Sequence, residues 1–78
     1  MPVTETLPGV SRQLLLQRAL EEIPAALHAE LEEIALEPQG RAVHHGMVME
    51  LVLWRARWRR SGWPPLSGPI AVHEGHIY

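Results

Sequence analysis

Hydrophobic and polar positions alternate with no fixed period through the first ten residues, MPVTETLPGV, which contain two prolines and one glycine. An extended arm is expected over residues 1–10. Ser11 then stands as an N-cap, and Leu16, Ala19, Leu20 and Ile23 fall at i, i+3, i+4 and i+7. That spacing predicts an amphipathic helix over about Arg12 to Glu22. Pro24 cannot extend it without losing a backbone hydrogen bond, yet suits the first position of a new helix. Beyond it, Leu27, Leu31, Ile34 and Ala35 share one stripe, while Glu30, Glu32, Glu33 and Glu37 fall largely outside. A second helix over about Pro24 to Leu36 is predicted, stopped by Glu37-Pro38-Gln39-Gly40.

Residues 41–60 carry two periods at once. As a helix, Val43, Met47, Leu51, Trp54 and Trp58 form a continuous seam. As a strand, Trp54-Arg55-Ala56-Arg57-Trp58-Arg59 alternates apolar and basic positions. Met, Glu, Leu, Ala and Arg favour helix, and fourteen residues is long for a strand. The helix is preferred, starting between Ala42 and Met47, with Gly46 as the local objection because an interior glycine costs roughly 1 kcal/mol. The tail, SGWPPLSGPIAVHEGHIY, opens with turn and polyproline signals. Its end offers a short strand pair, Ile70 to Val72 and His76 to Tyr78, about Glu74-Gly75.

The expected fold is therefore mainly α: a small helical domain of about three helices. Residues 11–60 form the helical body, residues 1–10 an extended N-terminal arm, and residues 61–78 an apolar C-terminal arm with an optional hairpin. No internal repeat is visible. A body of this size, with no Phe and no disulfide, sits near the limit of independent stability. The segment MVMELVLW is apolar nearly all round and wants burial on more than one side. A partner protein or a second copy is the expected cover; arms folded back on the body are the other.

Composition narrows the class. The 78 residues are 46% hydrophobic, too apolar for a disordered tail. No apolar run reaches the roughly 18 residues that span a bilayer, and the N-terminus lacks the charged start and apolar middle of a signal peptide. A cytoplasmic, membrane-free protein is expected. The absence of cysteine removes disulfides, thiolate metal sites and cysteine nucleophiles. All nine acids are Glu and all seven bases are Arg. With the Leu, Ala and Pro content, that suggests a GC-rich bacterial or bacteriophage coding sequence. The net charge of -2 hides a split: residues 1–40 hold seven Glu and two Arg, and residues 41–78 hold five Arg and two Glu.

Candidate chemistry lies mainly in the Trp/Arg block: Trp54, Arg55, Arg57, Trp58, Arg59, Arg60 and Trp63. Arginine can meet phosphates while tryptophan stacks on unpaired bases. The same residue types dominate protein–protein hot spots. The alternative is that Trp54 and Trp58 are core and the arginines face solvent or pair with glutamates. His73-Glu74-Gly75-His76 is one residue short of the HExxH zinc string, so it cannot place two imidazoles at i and i+4. Neither a metal nor a cofactor is expected. The glutamates read as a solvated face. Hydroxyls are confined to arms and boundaries with no GxSxG elbow, which argues against an enzyme.

The expectation is a non-catalytic protein–protein interaction or assembly module. Small size, GC-rich usage and an aromatic-basic segment between arms are reminiscent of bacteriophage accessory and virion-assembly proteins. Partner-facing residues would be Arg55, Arg57, Arg59, Arg60 and Trp63 of the block, with Leu66, Ile70, Val72, Ile77 and Tyr78 of the C-terminal arm. Two alternatives stand beside it: a nucleic-acid-associated regulator using the same block, and a homo-oligomeric helical bundle whose acidic and basic poles pair between chains.

Overall fold

The computed structural model of the chain describes residues 9–78. The arm expected over residues 1–10 thus lies, up to residue 8, outside the described residues. Helix α1 (Arg12–Glu22) forms where the pattern placed it. Ser11 is extended and its Oγ accepts from the Leu14 N–H at 3.2 Å, satisfying one of the orphan donors of the first turn. The helix stops before Pro24, which disfavours helical geometry in the residue preceding it. His28 secures that end. Its Nε2 lies 2.9 Å from the Ile23 carbonyl oxygen and 3.2 Å from that of Leu20, and a carbonyl only accepts, so Nε2–H donates.

The rest is sheet. A short 3-10 helix (Ala25–Glu30) leads into β1 (Leu31–His44), followed by β2 (Met47–Trp58), β3 (Ser67–His73) and β4 (His76–Ile77). They form one antiparallel meander in the order β1-β2-β3-β4. Strands take 50% of the described residues and helices 24%, so the mainly α expectation is overturned, and with it the small helical protein and the helical bundle.

The second helix, expected from Pro24 to Leu36, survives only as the 3-10 segment. Its stripe of Leu31, Ile34 and Ala35 is a coincidence of spacing. Ile34 and Leu36, two apart, are the buried positions, and Glu33, Ala35 and Glu37 turn to the other face. The third helix is also a strand. In β2 the buried Val52 and Trp54 share a face with Ala56 and Trp58, and the arginines between them point away. The helical seam mixed two faces, because Met47 and Leu51 share the face of Arg55 and Arg57. Gly46 was the decisive signal: with φ 75°, after His45 at 50°, it builds a two-residue hairpin turn of the type I′ family. Glu74 and Gly75, at φ 49° and 78°, repeat this between β3 and β4, where the C-terminal pattern placed a turn.

The core lies between α1 and one sheet face. Leu15, Ala19 and Ile23 meet Ile34 and Leu36 of β1, Val52 and Trp54 of β2, and Ile70 and Val72 of β3. Burying each large apolar side chain contributes roughly 1.5–3 kcal/mol. The C-terminal segment therefore completes this core as strands and is no detached arm. Trp54 is central. Its indole Nε1 donates to Glu22 Oε2 at 2.7 Å, tying β2 to the end of α1, and its ring lies over Gly68, its partner in β3.

Candidate binding groove

The register determines where the Trp/Arg block goes. Arg55 and Arg57 project from β2 on the face away from α1, beside the glutamates of β1. Arg57 Nη1 lies 3.0 Å from Glu33 Oε1, and Arg55 Nε 3.7 Å from Glu37 Oε1. Arg60 Nε is 3.2 Å from Glu30 Oε2. Arg59 donates from its backbone N–H to the Glu30 carbonyl at 2.9 Å. The structure brings Arg55 and Arg57 together with β1, and Arg59 and Arg60 with Glu30 at the end of the 3-10 helix. All stay exposed, so each pair contributes at most about 1 kcal/mol.

The remaining candidates separate. Trp63 is half-buried, its ring centroid 5.2 Å from that of Trp58, whose Nε1 donates to the Pro64 carbonyl at 3.0 Å. Leu66 and Ile77 pack against the edge of the core. Ile70 and Val72, each 2% exposed, belong to the core itself and have no side-chain surface to offer a partner. Tyr78 is exposed and gathers with Met47, its hydroxyl 3.8 Å from the sulfur, and with His73. His44 and His45 meet edge to face at the tip of the first hairpin, ring centroids 4.2 Å apart. Among the described residues, no three His, Asp, Glu or Cys side chains come close enough to hold a metal ion.

A different feature emerges along β1. Its outer edge runs beside α1, and a groove of about 540 Å³ lies between them. One wall is the helix stripe Arg12, Leu16 and Leu20, spaced four residues apart. The other is the backbone and side chains of Leu31 to Leu36, and His28 lies between. Leu16 and Leu20 are only partly buried, although they pack on the core from above. The helix thus overhangs the sheet edge with apolar side chains.

None of these groove residues was among the partner-facing residues expected from sequence. Leu16 and Leu20 were legible as part of a helix stripe with Ala19 and Ile23, but their neighbour across the groove is an edge strand in a segment whose pattern predicts a helix. Compared with protein-family models, curated proteins and solved structures, the chain matches none. The geometry alone carries the functional argument. Among the described residues, no helix is long and apolar enough to cross a membrane.

Proposed function

We propose that this chain is a non-catalytic protein-interaction module that takes an extended polypeptide segment into the groove between α1 and β1. The observation carrying this reading is an edge strand lying beside an overhanging apolar helix stripe. An exposed strand edge offers unpaired N–H and C=O groups in a row, and pockets beside it select alternate side chains of an added strand. The opposite edge offers less: β4 has two residues and covers β3 only at Val72 and His73, and the remainder of β3 is interrupted by Pro69, which has no N–H. Phosphate recognition is less well supported. The carboxylates of Glu33, Glu37 and Glu30 already lie against three of the four clustered arginines, which lowers the positive potential that a nucleic-acid backbone would need.

The test is affinity capture from cell extract with the intact chain and with two groove variants. Leu16→Lys puts a charge on the apolar wall. Arg12→Trp crowds the groove mouth from an exposed position and leaves the core alone. Both variants are checked for folding by circular dichroism. At least one protein retained by the parent chain is expected to be lost, by tenfold or more, with Arg12→Trp. A retained set unchanged by either folded variant overturns the reading.

A further inference from the structure

We infer that the strand accepted at the β1 edge is one in which apolar side chains alternate with arginine or lysine. The inference rests on the interaction reading above and specifies the chemistry of its ligand. Two bulges divide the edge of β1, which no described strand pairs, into a run beside α1 and a second run, residues 40–44, that lies past the groove. The β1–β2 register shifts between Leu31 and Glu33 and again between Pro38 and Gly40, leaving an unbroken run from Glu33 to Glu37. Pro38, just beyond, has no N–H to give. Bulges and proline are the devices that blunt an exposed edge, and here they leave five residues open between them.

Side chains along that run alternate in direction. Ile34 and Leu36 turn toward α1, so residues of an added strand on that side meet Leu16 and Leu20 and are apolar. Glu33 and Glu37 turn to the other face, with side chains 55% and 45% exposed. Each has an arginine on its β2 side. Glu32, the extra residue of the first bulge, is an exposed carboxylate that lines the groove, and no ion pair engages it among the described residues. Opposite charges on neighbouring strands attract and like charges repel, so the incoming residues on this face are cationic. The same charges disfavour a second copy at this edge: pairing β1 with itself gathers the Glu33 and Glu37 carboxylates of two chains on one face. The occupant assigned to this edge is therefore not β1 of a second copy but a cationic, apolar-alternating segment of a different protein.

The experiment uses the intact chain, labelled with 15N, and three synthetic nine-residue peptides. In these, valine alternates with arginine, threonine or glutamate. Backbone amide shifts are followed during titration. The arginine peptide is expected to move the amides of residues 33–37 saturably, at least tenfold more tightly than the glutamate peptide. Glu33→Gln combined with Glu37→Gln is expected to remove most of that preference. Equal binding of all three peptides at residues 33–37 overturns the charge inference while leaving the groove reading intact. Shifts confined to another surface, such as the β2 face of Met47, Leu51 and Leu53, overturn both. So does the absence of any response.

Discussion

Adding one methyl group at Gly68 should destabilise the fold more than any other glycine-to-alanine change in ordinary backbone geometry. A Cβ built there would lie 2.8 Å from Trp54 Nε1 and 3.1 Å from Cε2 and Cζ2 of the same ring. The indole has little freedom to move aside. It is 3% exposed, and its Nε1 holds Glu22 Oε2 at 2.7 Å. Retreat therefore either overpacks the core, which costs about 1–3 kcal/mol, or sacrifices a hydrogen bond to a charged acceptor, worth about 1.5–3 kcal/mol. Either way Gly68→Ala costs about 1–3 kcal/mol. In a domain this small that lowers the melting temperature by roughly 5–25 °C. The assay is thermal and urea unfolding followed by far-ultraviolet circular dichroism. Gly9→Ala, with nothing within 4 Å of its Cβ, serves as control and should stay within about 0.5 kcal/mol of the parent. Repeating Gly68→Ala in a Trp54→Leu background, where the ring atoms that crowd the new methyl are gone, should cut its cost below about 1 kcal/mol. The reasoning is refuted if Gly68→Ala is neutral, or if it costs the same in both backgrounds.

Two further outcomes follow from the sheet. Gly46→Ala, whose Cβ meets nothing within 4 Å, should lose roughly 1–2 kcal/mol purely from its positive φ, and Gly46→Asn distinctly less, as measured by urea midpoints. A double-mutant cycle on Arg57 and Glu33, 3.0 Å apart but well exposed, should return a coupling of at most about 1 kcal/mol that fades as salt is raised.

What the sequence disclosed depended on how local the cause was. Helix α1 was legible because its cap, its stripe and its terminating proline all lie within fourteen residues. The Glu74-Gly75 turn was legible for the same reason. The long strands were not. In β2, Met49 and Val52 are both buried although the register puts them on opposite faces, so MVMELVLW shows little of the alternation that marks a strand. Between Leu31 and Leu36, helix and strand periods fit equally well, and the choice is made by pairing with β2, more than a dozen residues away. The block of arginines was visible, but its ion partners were not, since those come from the β1 register. The groove was hidden one step deeper: it exists only because β1 ends up outermost in the sheet, which no segment states by itself.

The charge split illustrates how such a tertiary cause acts. An acidic first half and a basic second half suggested poles that could meet a partner or another copy. The hairpin between them resolves most of that within one chain, setting Glu33 directly against Arg57 and Glu37 diagonally against Arg55. The compensation is one-sided. The arginines sit on an inner strand, with β1 on one side and β3 on the other, whereas the glutamates sit on the outermost one. Charge that looked balanced as a sum is therefore separated in space, and the acidic member of each of these pairs lies along an edge that no described strand pairs. Backbone direction, apolar overhang and exposed carboxylates converge on the same five residues of β1, and each constrains a different property of the strand proposed to bind there.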